Sequence, residues 1–524
     1  MVRRPDLSQV RQLTTAGFSA WRSSGLTVPI NPLTGVRLGR DLLVHGVSPA
    51  IGWAAGADRH PDQLALVDQY DVTLTQHQAE DLTRRTTAFL RTTGLAPGRT
   101  AAVYGRNSAG FAVAIAAVTR SGADLVYLNP GFTADQVTSL CSEHGITLVL
   151  ADPDLTPRIP VGTQVLNLIQ PEQWATGATS GSRTLRVLAG GGRHIILTSG
   201  TTGKPKGADR SGTPLSATVS LLSMLPYRER DTHVMAAPLF HSWGWLNHRL
   251  AALLDSTEVM IARPGAEEVL AAAHRHAAGL IITTPVVVAR LAEAGAGSYD
   301  LSALRGVLVS GAPLPTDIVE RFRAEFGDVL YNLYGSTEVG YATVATPQDL
   351  ARDPDSAGRP LPGVRVELLD DVGEPVRPGR QGYVWVGSAA SFDGYVDGDD
   401  KDRRGDLVAT GDVGYWTSAG TLTIVGRADD LIISGGENVH PSEVEHVLRR
   451  CPGVADIAAV GRPDPEYGQR VAVFVVPCDP HADVVADVRR YAKDHLAGYQ
   501  RPRDITVVSD LPRNETGKVL RRLL

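Results

Sequence analysis

The run Thr198-Ser199-Gly200-Thr201-Thr202-Gly203-Lys204-Pro205-Lys206-Gly207 gathers into one short stretch the residue types that a phosphate needs. Glycines let a backbone bend closely around an anion, hydroxyls donate to its oxygens, and lysines neutralise its charge. The spacing excludes a Walker loop, which has four residues between its first glycine and Gly-Lys, whereas Gly200 and Gly203 have two between them. A flexible surface turn would use the same glycines, but the ordered hydroxyls and two lysines favour an anion cradle. Histidines offer less. His241 and His248 lack nearby carboxylates and metal-ligand spacing. His440, Glu443 and His446 share a face that reads as a solvated helix start.

The phosphate segment follows His194-Ile195-Ile196-Leu197, an apolar run that predicts a buried strand. Leu148-Val149-Leu150 reads the same way, and Val307-Leu308-Val309 reads as a strand meeting a turn at Ser310-Gly311. Phe111 to Val118 is helical in composition, while Leu280 to Ala289 reads as a buried strand and turn. Strands alternating with helices as far as about Leu350 predict α/β sheets with function on strand-end loops. From Val364 to Val425 strands dominate between Gly and Pro turns, which marks a β-subdomain. Beyond Arg427 a compact α+β module follows. There Ser442-Glu443-Val444-Glu445 reads as a capping box, Arg470 to Pro477 as a strand, and Val484, Val488, Tyr491 and His495 as one helix face. The expected architecture is a large N-terminal α/β domain over residues 1–425 and a small α+β domain over 426–524. Within the first, 1–45 is a peripheral arm and 360–425 the β-rich subdomain.

Composition narrows the function. The 524 residues are 43% hydrophobic and 21% charged, enough for several cores. With 51 basic and 57 acidic residues the net charge is −6, which leaves no electrostatic footprint for nucleic acid or an anionic membrane. Cys141, Cys451 and Cys478 lie too far apart for a disulfide framework or a CxxC metal knuckle. No apolar run approaches the roughly 18 residues of a membrane span, and Arg3-Arg4 leads into Pro5-Asp6 rather than an apolar leader. A soluble, cytoplasmic protein is expected.

The phosphate segment resembles the signature of the adenylate-forming superfamily: acyl-CoA synthetases, beetle luciferases and peptide-synthetase adenylation domains. Further motifs follow in family order. They are Tyr334-Gly335-Ser336-Thr337-Glu338, Thr410-Gly411-Asp412, Gly426-Arg427-Ala428-Asp429-Asp430 running on to Ile433-Ser434-Gly435-Gly436-Glu437, and Pro512-Arg513-Asn514-Glu515-Thr516-Gly517-Lys518. The resemblance runs from about Ala50 to the end and is nearest to fatty acyl-CoA ligases. It implies ATP, Mg²⁺ and CoA as cofactors and two half-reactions, acyl-AMP formation and then thiol attack. Thr198, Ser199, Gly200, Thr201, Thr202, Gly203 and Lys206 would hold the ATP phosphates. Gly311, Ala312, Pro313, Asn332, Leu333 and Tyr334 would enclose adenine, with Gly335 and Ser336 beside them. Asp412, expected in a loop, would accept the ribose hydroxyls, with Arg427 alongside. Glu338 would bind Mg²⁺, Thr337 would contact the α-phosphate, and Lys518 would meet the charge that develops in the transition state. Asp429 would be the hinge of a mobile small domain, and Gly435 and Gly436 would line a thiol tunnel.

The acid is less legible. Pro238-Leu239-Phe240-His241-Ser242-Trp243-Gly244 resembles the carboxylate end of the acyl pocket, with His241 as a catalytic candidate. The Asp that amino-acid-activating relatives place at that position is missing. Gln500 stands where the family usually has Lys. Asn247-His248-Arg249 is polar for a fatty-acyl wall. If Arg249 faced the pocket, the acid would be short, polar or inorganic; otherwise a medium- or long-chain fatty acid is expected. CoA is the expected thiol, with a carrier protein or an amine as the alternative acceptor. The resemblance admits a homodimer; neither nucleic acid nor integral membrane association is expected.

Overall fold

The computed structural model describes residues 15–17, 19–20, 24, 49–175, 192–199, 205–209, 215–392, 394–395, 401–434, 437–481, 483–514 and 517–524. It is α/β, with a large N-terminal and a smaller C-terminal domain, and four sheets lie among the described residues. In the nine-stranded sheet Leu330–Ser336, Gly306–Val309, Leu280–Thr283, Thr232–Met235, Thr257–Met260 and Leu64–Asp68 run parallel in that order. The six-stranded sheet carries the phosphate-segment strand His194–Ser199 beside Asp124–Leu128, and turns back antiparallel through Pro205–Asp209.

These sheets bury both faces, which is why their strands read as unbroken apolar runs. Leu308 and Met235 point into a core shared with the six-stranded sheet. Val307, Val309 and Val234 point the other way, onto a second core under helices Pro285–Ala294 and Thr316–Phe326. Helix Ala109–Ser121 lies in the shared core, and nearly all its side chains are buried. Each large side chain it buries contributes roughly 1.5–3 kcal/mol.

Four sequence expectations change. Pro285 opens a helix rather than a turn, since proline is favoured at the first helical position. Helix Pro441–Leu448 also starts on a proline, so its N-cap is His440 and the Ser442 capping box does not form; Ser442 Oγ instead donates to Val425 O. Asp412 stands within strand Leu407–Trp416, not in a loop. In the expected arm, Ala16 and Ala20 are buried, Ala20 in the shared core. The rest of 1–45 lies outside the described residues, apart from Thr15, Gly17, Ser19 and Ser24.

Beyond the second core, strands Arg365–Leu369, Gly382–Gly387, Leu407–Trp416 and Leu422–Arg427 form the β-rich layer. A last sheet pairs Val454–Asp464 with Gly468–Pro477 under helix Val484–His495. Among the described residues no helix is long and apolar enough to cross a membrane.

One buried side chain ties the two large sheets together where chemistry must happen. Asn107, just before helix Ala109–Ser121, donates to Met235 O and Ala237 O at 2.9 Å each and accepts from Leu239 N at 2.8 Å. This holds the chain that leads into His241. Asn107→Ala withdraws three buried hydrogen bonds and is expected to destabilise the large domain by about 2–4 kcal/mol. Urea unfolding measures it; an unchanged midpoint would remove Asn107 as the tie.

Candidate active site

The site is built where strand ends of the nine-stranded sheet meet the β-rich layer and the C-terminal loop. Asp412 pairs in register with Arg427 on the next strand. Tyr334 donates its hydroxyl to Asp412 Oδ2 at 2.6 Å. Arg427 Nη1 donates to Thr410 O at 2.9 Å and reaches Asp412 Oδ1 at 3.4 Å. The same guanidinium grips Asp429 in a fork, Nε to Oδ1 at 2.9 Å and Nη2 to Oδ2 at 3.1 Å. Burial raises the Asp412 carboxyl above its usual range, against the pull of Tyr334, Arg427 and Lys518. Asp429 is also pushed up by burial, but the Arg427 hydrogen bonds and charge, with Lys518 nearby, bring it below that range.

The charge of Lys518 thus acts on both carboxylates. Its loop is docked on the large domain. Gly517 is buried with φ +84°, and a Cβ there would lie 2.7 Å from Val286 Cβ. Helix Pro441–Leu448 adds a hydrogen-bonding contact across the domains, His446 Nδ1 to Thr316 Oγ1 at 3.3 Å. Arg521 ties the C-terminus to Glu445 at 2.7 Å and Asp430 at 3.3 Å.

On the facing wall, the Leu330–Ser336 and Gly340–Ala345 hairpin carries Thr337 and Glu338 at its turn. Thr337 Oγ1 lies 3.5 Å from Ser242 Oγ at the start of helix Ser242–Leu253, and Ser336 Oγ accepts from Glu338 N at 3.3 Å. Glu338 Oε1 accepts from the Tyr395 hydroxyl at 2.6 Å. Sequence reasoning passes over Tyr395, whose only local signal is a Gly-Tyr pair. His241 is the N-cap of the same helix, without a side-chain capping bond, and its Nε2 is buried with no partner among the described residues. Burial pushes its pKa down to about 4, so the ring is neutral at pH 7. An orphaned nitrogen of this kind is a group that a bound carboxylate can satisfy.

The remaining candidates divide. Gly311 has φ +102°, a backbone that favours glycine, and a Cβ there would meet nothing within 4 Å, so the wall faces open space. Ser310 Oγ ties that wall to Leu333 O at 2.9 Å, while the Leu333 side chain is buried in the core and only its backbone faces the site. Asn332 donates to Ser356 O at 3.3 Å. Ala312 and Pro313 flank the opening, with Gly335 in the hairpin. Thr198 and Ser199 are placed as strand residues only, and Lys206 stands opposite Thr198. Gly200, Thr201, Thr202, Gly203, Gly435 and Gly436 lie outside the described residues.

The polar triplet on helix Ser242–Leu253 is core, not a polar pocket lining. Asn247 accepts from Tyr227 and donates to Trp243 O at 2.8 Å. His248 does have a carboxylate partner, Glu258, 2.9 Å away in the fold and wholly buried with it. Arg249 is buried with its guanidinium 4.3 Å from the Trp245 ring. Gln500 donates to Glu443 at 3.3 Å.

Residues 53–396 match the AMP-binding enzyme family and residues 443–518 the AMP-binding enzyme C-terminal domain. The chain belongs to the AMP-binding enzyme family. The fatty acid–acyl-carrier-protein ligase ScoC of Streptomyces coeruleorubidus is 31% identical over 86% of this chain and 91% of its own length. A methyl-dioxo-octahydroindenyl propanoyl:CoA ligase of Mycobacterium tuberculosis is 31% identical over 88% of this chain and 94% of its own length. The structure of O-succinylbenzoate coenzyme A synthetase from Bacillus subtilis, in complex with ATP and magnesium ion, superposes with a TM-score of 0.79. It is 27% identical, covering 90% of this chain and 98% of that one. As a member of this adenylate-forming superfamily, the chain is an AMP-forming, acyl-CoA-synthetase-like enzyme.

The residues present fit the nucleotide and the ion. Gly311 faces open space next to Ser310, which bonds the residue before Tyr334, and the Glu338 carboxylate has one oxygen bonded to Tyr395. A second acidic cluster, His60, Glu229 and Asp255, could gather ligand atoms about an ion, but Arg59 already supplies its cation at 2.7 Å from Asp255.

Tyr334→Phe keeps the ring and removes the donor on Asp412. A hydrogen bond to a charged group is worth about 1.5–3 kcal/mol, so KM for ATP should rise about tenfold with a smaller fall in kcat. Steady-state kinetics decide; an unchanged KM would detach Tyr334 from nucleotide binding.

Proposed function

We propose that the protein is an acid:CoA ligase that activates a compact, apolar monocarboxylic acid as its acyl-AMP. The observation that supports this reading is Asp412 held between Tyr334 and Arg427, with the Lys518 charge acting on it, and Tyr334 on the hairpin whose turn carries Thr337 and Glu338. The acid carboxylate would attack the α-phosphorus of ATP, forming the acyl–O–P bond and releasing pyrophosphate. The thiol sulfur would then attack the carbonyl carbon and release AMP. Lys518 would stand over the charge that develops at the α-phosphate. Asp412, oriented by Tyr334, would take the ribose hydroxyls. Neutral His241 would bond the acid. Glu338 would hold Mg²⁺, which supplies charge neutralisation for the departing pyrophosphate.

The acid class is supported by a cleft behind the same hairpin. Ala217, Ser220, Leu221, Leu246, Tyr341, Leu361, Val364, Ser388 and Ala390 line it, and its free space is narrow, about 20 Å³ for the centre of a water-sized sphere. An acid seated there has to part these side chains. No charged side chain is among its lining residues. Ser220 Oγ donates to Ser216 O and Pro362 O, and Ser388 Oγ accepts from Ala390 N. A second carboxylate on the acid would have to give up its water there for no counter-charge. The ring of Tyr341, a lining residue, meets Trp243 at a tilt, 5.2 Å between centroids, which brings the cleft near the chain segments of His241 and Glu338. A compact apolar acid suits this uncharged lining better than a dicarboxylate or an inorganic oxyanion. A carrier protein remains the second reading for the acceptor, favoured by the likeness to ScoC.

The test is AMP release across octanoate, phenylpropanoate, palmitate and succinate, with CoA or a phosphopantetheinylated carrier protein. Octanoate and phenylpropanoate should lead in kcat/KM. Leu246→Trp, which fills the cleft, should cut them about ten- to a hundredfold. Preference for palmitate or succinate, untouched by Leu246→Trp, would overturn the acid class.

A further inference from the structure

Glu338 is held by a residue from outside its own hairpin. Tyr395 lies on the crossover between strands Gly382–Gly387 and Arg403–Arg404, and its hydroxyl donates to Glu338 Oε1 at 2.6 Å. Its backbone forms an antiparallel bridge with Ala208, in the strand that returns from the phosphate segment. From that strand Lys206 places its Nζ 5.3 Å from the centroid of the Tyr395 ring. Phe392 braces the arrangement: its N–H donates to Glu338 O at 2.8 Å, and its ring meets Tyr395 edge-on at 5.0 Å.

We propose that Tyr395 is a positioning residue that sets Glu338 for the divalent cation and Lys206 for the phosphates. The inference rests on Glu338 being the magnesium carboxylate. A carboxylate with a hydroxyl donor on one oxygen presents the other in a fixed direction, and such outer partners typically tune metal affinity 10–100-fold. The same ring attracts the lysine ammonium through its face. One side chain therefore sets the spacing between the anionic and the cationic group that flank the phosphates, with the ammonium on the ring face and the carboxylate at its hydroxyl edge. The elements that meet at Tyr395 come from three parts of the chain: the returning phosphate strand, the Glu338 turn and the crossover of the β-rich layer.

Two variants separate its two contacts. Tyr395→Phe keeps the ring and loses the hydroxyl; Tyr395→Leu loses both. Binding of Mn²⁺, followed by electron paramagnetic resonance with a non-hydrolysable ATP analogue present, reads the cation site without turnover. Tyr395→Phe should weaken Mn²⁺ binding about 10–100-fold and leave the affinity for the analogue alone unchanged. Tyr395→Leu should weaken the analogue as well. The Mg²⁺ requirement of pyrophosphate exchange should rise in step, and saturating Mg²⁺ should restore the rate of Tyr395→Phe. A lower melting temperature with an unshifted cation dependence would mean a structural role only and overturn the proposal. Glu338→Gln is the control. If it binds Mn²⁺ normally, the reading of Glu338 fails and the proposal with it. If it binds poorly while Tyr395→Phe binds normally, the tyrosine proposal alone is overturned.

Discussion

Two carboxylates share one guanidinium at the junction of the domains. Asp412 belongs to the nucleotide wall, Asp429 to the connection into the small domain, and Arg427 contacts both. Lys518 brings a second cation to the same place from the far end of the chain. Exposed ion pairs contribute little by themselves, about 0–1 kcal/mol each. Here burial of Asp412 and the fork on Asp429 give the charges a geometry at the connection into the small domain. A nucleotide that placed its ribose on Asp412 and its α-phosphate under Lys518 would enter this balance directly. Departure of its pyrophosphate would alter it. A small domain held by a few charges, two hydrogen-bonding contacts and one docked loop would be released by such a change if it alternates between two half-reactions.

The rest of the fold keeps the other wall still. The two large sheets bury both faces around helix Ala109–Ser121, and Asn107 bonds one sheet to the turn that carries His241. The Glu338 turn is tied three ways, to Ser336, Phe392 and Tyr395. One side of the site is therefore braced by buried hydrogen bonds, and the other is the small domain docked through the Gly517 loop. The apolar cleft opens behind the braced side, between Leu246, Tyr341 and Ala390.

Legibility followed locality. Strands such as Val307–Val309 were readable because burial on both faces demands β-branched runs, and the ordered motifs pointed to the family. The face of helix Ser242–Leu253 was not readable, because nearly every position on it is buried and no amphipathic stripe exists. Its Asn247, His248 and Arg249 look polar in sequence, yet they pair with Tyr227, Glu258 and Trp245 from other parts of the core or the same helix. Ser442 failed as a cap because Pro441 takes the first helical position and moves the cap to His440. Tyr395 was invisible for the same reason as Glu258: its partners are distant in the chain, and a lone tyrosine in a Gly-rich crossover carries no pattern.

The account stands on Lys518 serving adenylation and not thiol transfer. Lys518→Ala, assayed separately in pyrophosphate exchange and in thioester formation from pre-made acyl-AMP, tests this most directly. Losing one charge-stabilising donor should slow exchange about 10²–10³-fold while thioester formation keeps most of its rate. Equal loss in both half-reactions would contradict a lid that brings Lys518 to the site for the first step alone.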